Sequence, residues 1–219
     1  MIAADKNPAV VKVAEEIAGR HGARVIGFVG DVGSKDIAER LIGDTNRAFG
    51  RIDVLVNNAG GGGVAPLESF DEPALLEAIN NNFWTAFRCT QAVIPVMRAQ
   101  KYGRIVNVTS NASFGGLGDH VVANSAKGGV HGMSSGLAID LAPTGITINT
   151  VAPAITLIES TAERLKAKEP PAGLLRAIGR IPMGRAANME EVAAAVAFFA
   201  SRETSFISGQ VLRVNGGAA

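Results

Sequence analysis

Short aliphatic runs, separated by stretches in which apolar residues recur every three or four positions, divide the chain into alternating strands and helices. Val54-Leu55-Val56, and Ile105-Val106 with Val108, are apolar at successive positions, the pattern of strands covered on both faces of a parallel sheet. The segments 24–29 and 147–151 read the same way, 207–217 reads as a terminal strand, and Ile2-Ala3-Ala4 reads as the tail of a strand ending at Asp5. Helical spacing runs over 8–19 (Val11, Val13, Ala14, Ile17), over 35–49 behind the cap candidate Ser34, over 72–100, from about 123 to 141 (Val130, Met133, Leu137, Leu141), and over 189–200. Asn80-Asn81-Asn82 are poor helix formers and predict a break in the third of these, while Pro143-Thr144-Gly145 ends the fourth. The segment 158–180 is polar and helical in pattern, and Pro170-Pro171 interrupts it; a lid over a substrate and a mobile surface connector both fit. The alternation predicts one α/β domain over residues 1–219, a doubly wound parallel sheet with a covering region at 156–188.

Composition narrows this reading. A chain of 219 residues can bury one substantial core, and 47% hydrophobic content with 26 glycines suits aliphatic strands joined by tight turns. The net charge of +1 comes from scattered lysines and arginines, which leaves no basic face for nucleic acid. No apolar run is long enough to span a membrane and no signal-peptide pattern opens the chain, so a cytoplasmic location without membrane contact is expected. Cys89 is the single cysteine and reads as a packed helix residue. The three histidines, His21, His120 and His131, are too dispersed for a metal site.

Candidate chemistry concentrates in 104–131. In an open α/β sheet ligands bind beyond the carboxyl ends of the strands, so Ser110, just past the strand end, points to a site. Lys127 follows in a run of small residues (Ala123, Ser125, Ala126, Gly128, Gly129) that lets a cofactor or another helix approach. Asn57-Asn58-Ala59-Gly60 closes the apolar strand before it, and its small residues admit a flat ligand while its amides can fasten neighbouring strands. Gly60 to Gly63 is an unusual run without an evident purpose.

Together these motifs resemble the short-chain dehydrogenase/reductase family over nearly the whole chain. The resemblance implies a Rossmann-like sheet and hydride transfer between a nicotinamide cofactor and an alcohol or carbonyl carbon. It places Ser110 as the residue orienting the substrate oxygen, Lys127 on the nicotinamide ribose, and Asn82 as the asparagine that distorts its helix and holds a relay water. The family's catalytic tyrosine falls on Ala123, so the proton donor is missing. Tyr102 lies before the strand and cannot substitute; His120, three positions from Ala123, is the one nearby imidazole and also reads as an ordinary loop residue. On the cofactor side the resemblance implies Asp5 for the adenosine ribose, Asp31 and Val32 beside the adenine, Asn58, Ala59 and Gly60, and Pro153-Ala154-Ile155 at the nicotinamide. Ala154 stands where the family has glycine, and Thr156 or Ser160 could reach the cofactor. Asp5 could equally cap the helix that follows it.

The 219 residues open on what reads as the family's second strand. The first βα unit, with its glycine-rich phosphate loop, is therefore not among them. Either Met1 is internal to a longer protein, or the sheet closes through a different pairing of Ile2 to Ala4. The implied cofactor is NAD rather than NADP, since Asp5 would repel a 2′-phosphate, although Lys6 beside it weakens that preference. The implied substrate is a small, mostly apolar carbonyl or alcohol compound. The long helices carrying Trp84, Phe87, Val130, Met133 and Leu137 imply a homotetramer or homodimer. Three activities remain open: an impaired alcohol or ketone dehydrogenase, a catalytically inactive ligand- or partner-binding protein, and an altered chemistry that needs no tyrosine.

Overall fold

The computed structural model describes residues 1–218. Its strands are β1 (Ile2–Asp5), β2 (Ile26–Val29), β3 (Val54–Asn57), β4 (Gly103–Val108), β5 (Ile146–Pro153) and β6 (Val211–Val214), and every ladder between them is parallel. Each apolar run predicted as a strand is one. The terminal strand is shorter than 207–217; ahead of it Ser208 Oγ accepts from Ile148 N–H and Gln210 N–H donates to Asn149 Oδ1.

The ladders form two sheets, β1-β2 and β3-β4-β5-β6. Among the described residues β1 pairs only with β2, Ile2 opposite Ile26 through Asp5 opposite Val29. The alternative closure through a different pairing of Ile2 to Ala4 is therefore not adopted. Helix α2 (Lys35–Phe49) ties the sheets together: Ile2 of β1 and Leu55 of β3 both pack on the cluster of Phe28, Ala38, Leu41 and Cys89.

Helices cover both faces of the larger sheet because β4 and β5 are apolar on both. On one side Ile105, Ile146 and Ile148 meet Val93 and Met97 of α4 (Thr85–Gln100) and Leu141 of α6 (Val121–Leu141). On the other, Val106 and Val151 meet Ala195 and Phe199 of α9 (Met189–Ala200). The helix predicted over 72–100 is broken where the asparagines fall: α3 (Glu72–Ile79) passes through a wide π-turn at Asn80–Trp84 into α4. The segment after β5 holds α7 (Glu159–Lys166) and α8 (Ala172–Gly179), divided at Pro170-Pro171. Helix α1 (Val10–His21) starts beyond Asp5, whose Oδ1 accepts from the Asn7 N–H at 2.8 Å, and its cap position is Ala9. Asp5 is thus not the cap of that helix. Ser34 occupies the cap position of α2 without a capping bond from its side chain.

A buried ladder of polar side chains fixes the strand ends that carry the site. Asn57 Nδ2 donates to Thr90 Oγ1 at 2.9 Å and to Asn107 Oδ1 at 2.8 Å, and Asn107 Nδ2 donates to Ser134 Oγ at 2.9 Å. Buried amides of this kind persist only when their donors and acceptors are matched, so the ladder sets β3, β4, α4 and α6 in one register.

Candidate active site

β4 ends at Val108 and the chain stays beside β5 for three more residues. Thr109 N–H donates to Val151 O and Asn111 N–H to Pro153 O, both at 2.9 Å, which holds Ser110 at the carboxyl edge of the sheet. The Ser110 oxygen accepts from Ala112 N–H at 3.2 Å, leaving its hydroxyl proton to donate. A short turn of helix, α5 (Ala112–Gly115), leads to α6, and α6 returns Lys127 towards the end of β4 with Nζ 3.5 Å from Val108 O. A side chain at Gly60 would stand 3.1 Å from that Nζ and 3.3 Å from Asn82 Oδ1, so only glycine leaves this space open. Burial pushes the Lys127 ammonium down to about 8.

Two clefts flank this junction. The first, about 330 Å³, is lined by Asp5, Asp31, Val32, Asn58, Ala59 and Gly60 together with Lys6 and Thr85. Six residues predicted for the cofactor, drawn from the ends of three strands, thus share one wall. The second, about 390 Å³, brings Ser110 together with Ala154, Ile155 and His120. Lys127 joins them, since it reaches Gly60 of the first and the carbonyl two residues before Ser110 of the second. Pro153 ends β5 and holds Asn111 through its carbonyl. Tyr102 lies at the opposite end of β4, its ring against the guanidinium groups of Arg104 and Arg202.

Asn82 is buried in the π-turn with its amide bonded to backbone groups. Its Nδ2 donates to Gly61 O and Ala78 O, both at 2.9 Å, and its Oδ1 accepts from Gly61 N–H at 3.1 Å. The side chain clamps the polyglycine loop. Gly61, Gly62 and Gly63 all have positive φ (147°, 72° and 73°), and a Cβ on Gly63 would lie 3.5 Å from that of Ala123. The loop therefore covers the position that the resemblance gives to tyrosine. Only the density of glycines in the sequence hinted at this packing.

His131, which the sequence marks only as too dispersed for a metal site, stands close to Lys127. It lies one turn beyond Lys127, edge-on to Phe114 at 4.7 Å, and both ring nitrogens are buried without a partner among the described residues. Desolvation first, and the Lys127 charge second, hold its imidazolium below the usual range. No group of His, Cys, Asp and Glu among the described residues could hold a metal ion, and none of their helices is long and apolar enough to cross a membrane.

A family profile described as "Enoyl-(Acyl carrier protein) reductase" matches residues 1–219. The chain is 38% identical over 204 residues to the 2,3-dihydroxy-2,3-dihydro-p-cumate dehydrogenase of Pseudomonas putida, covering 93% of this chain and 78% of the relative. Among solved structures it is similar to an NAD+-bound xylitol dehydrogenase, with TM-score 0.90 and 29% identity over 99% of this chain and 88% of that one. It is also similar to ElxO with NADP bound, with TM-score 0.87 and 26% identity over 99% of this chain and 87% of that one.

Proposed function

Because the chain belongs to the short-chain dehydrogenase/reductase family, we propose that it is an NAD(P)-dependent oxidoreductase acting on an alcohol or ketone carbon, with its proton step impaired. The observation that carries this reading is Lys127 at the junction of two clefts, one lined by Asp5 and Gly60 and the other by Ser110.

The residues fit a nicotinamide dinucleotide. The Asp5 carboxylate, oriented by the Asn7 N–H, has an oxygen left for ribose hydroxyls. Val32 offers an apolar side chain to the adenine, and Gly60 leaves the space that a Cβ would fill. Among the described residues the Lys127 ammonium has one long contact, to Val108 O, and keeps donors for the second ribose. When bound, the dinucleotide supplies or accepts the hydride. Ser110 donates its hydroxyl proton to the substrate oxygen and fixes the reacting carbon in place. Nothing at Ala123 can exchange a proton with that oxygen. General acid–base catalysis contributes typically about 10²–10⁴-fold, and turnover is expected to be lower by that order. Asp5 favours NAD; in ElxO the bound dinucleotide is NADP, and in the xylitol dehydrogenase it is NAD+.

One observation favours a second reading, a ligand-binding protein without turnover: Gly63 packs over Ala123 while Asn82 is spent on Gly61. Titration with NADH and NADPH followed by fluorescence, then ketone reduction by the parent chain and by Ala123→Tyr, separates the two. The first reading expects NADH to bind more tightly than NADPH and the tyrosine variant to gain turnover. Binding without turnover in both proteins would support the second, and binding of neither dinucleotide would sink the first.

A further inference from the structure

The second cleft has a polar lining made of donors. The Ser110 hydroxyl has its proton free, because its oxygen is the acceptor towards Ala112. The carboxamide oxygen of Asn111 accepts from Arg213 Nε at 2.7 Å and Asn215 Nδ2 at 3.1 Å, which leaves its NH2 as the group to offer. His120 also lines the cleft, and its Nδ1, 2.7 Å from Gly118 O, a carbonyl that can only accept, carries a proton spent on that bond. Arg180, just past the end of α8, takes part in none of the ion pairs among the described residues, and no Asp or Glu is among the residues lining the cleft. The remaining wall is apolar, with Leu117, Ile155 and Ile181.

We propose that this cleft takes a small organic carboxylate, its anionic group held by the Arg180 guanidinium and its apolar body against Leu117, Ile155 and Ile181. The inference rests on reading this cleft as the substrate cleft of the oxidoreductase, and it names the substrate class: a hydroxy or oxo compound bearing a carboxylate away from the reacting carbon. The planar guanidinium fork matches a carboxylate through two parallel N–H···O bonds. Among the described residues no Asp or Glu lines the cleft to compete for the guanidinium. A neutral compound of the same shape would cover Arg180 without satisfying it, which discriminates more sharply than a change in apolar bulk.

Benzoate and its neutral isostere benzamide are the probes, titrated calorimetrically against the full chain without dinucleotide. Benzoate is expected to bind at least about tenfold more tightly than benzamide. Arg180→Gln should remove that preference and Arg180→Lys should keep part of it, with melting temperatures confirming that both variants fold. In the parent chain raised salt should weaken benzoate and leave benzamide unchanged, a readout that needs no variant. Equal affinity for the two probes, a preference that survives Arg180→Gln, or no binding of benzoate would each overturn the inference. Absence of the preference in the parent chain, with NADH binding intact, counts against this inference alone. A preference that persists where neither dinucleotide binds counts against the oxidoreductase reading alone.

Discussion

At the scale of single residues, Asn82 and Lys127 are both drawn in at the site, one by bonds to backbone and the other at a cost in charge burial. Ser110, marked in the sequence at a strand end, lies two residues past β4, and Lys127, seventeen positions on, is the seventh residue of α6. Beyond its local bond to Ala78 O, Asn82 is partnered by backbone groups of Gly61, twenty-one residues away, and no local pattern encodes those bonds. Asn82→Ala removes two of the bonds that hold the polyglycine loop. It should destabilise the protein by about 1–3 kcal/mol and raise amide exchange at 61–63 well before global unfolding. Unchanged exchange there would mean the loop holds its own shape. Lys127 has the opposite sign. Its native value near 8 lies below the ordinary 10.5, so between those values the unfolded chain binds more protons and stability rises with pH. Below about pH 8 the whole penalty is present, about 3 kcal/mol for a fall from 10.5 to about 8. Lys127→Met should therefore raise the unfolding free energy at pH 7 by about 1–3 kcal/mol and remove its share of the rise between pH 8 and 10.5. Urea unfolding at pH 7, 8.5 and 10 checks this, and a less stable variant at pH 7 would contradict it.

At the scale of elements, periodicity located the strands and helices because each buries a face in a period that polar residues interrupt. The π-turn was visible as three asparagines, and the division between α7 and α8 as two prolines. What periodicity could not give was the division of the sheet, since strand neighbours depend on pairings remote in sequence. β1 and β3 each have one edge without a ladder partner among the described residues, and β3 leaves Val54 and Val56 exposed, at 38% and 42%. Bare edges beside exposed β-branched residues are a template for one more extended strand. A family-like βα segment joined ahead of Met1 should fill that place, raise the melting temperature by several degrees and tighten dinucleotide binding at the Asp5 cleft. No change in either would mean that α2 already holds the two sheets as tightly as a shared strand would.

At the scale of the whole molecule, the question is which apolar surface the fold leaves over. Of the residues that suggested self-association, Val130 is 2% exposed and Leu137 packs against the core, so both are spent internally. What remains is of another kind. Gly128, Gly132 and Gly136 recur every four residues on α6, and a Cβ added at any of them meets nothing within 4 Å. Ile139 on the same helix is 77% exposed, and Trp84 at the start of α4 stands out from a cluster with Phe83 and Phe87. A row of glycines lets a second backbone approach closely, and the exposed isoleucine and tryptophan gain most from being covered when it does. The protein should therefore be a homodimer or homotetramer at micromolar concentration, with α6 at the contact. Light scattering should give a multiple of the 22.6 kDa chain mass. Gly132→Arg places a charged side chain in the row and should shift the mass towards the monomer while leaving the helical circular dichroism intact. A monomeric parent chain would remove the reason for the glycine row, and an oligomer indifferent to Gly132→Arg would place the contact on another face.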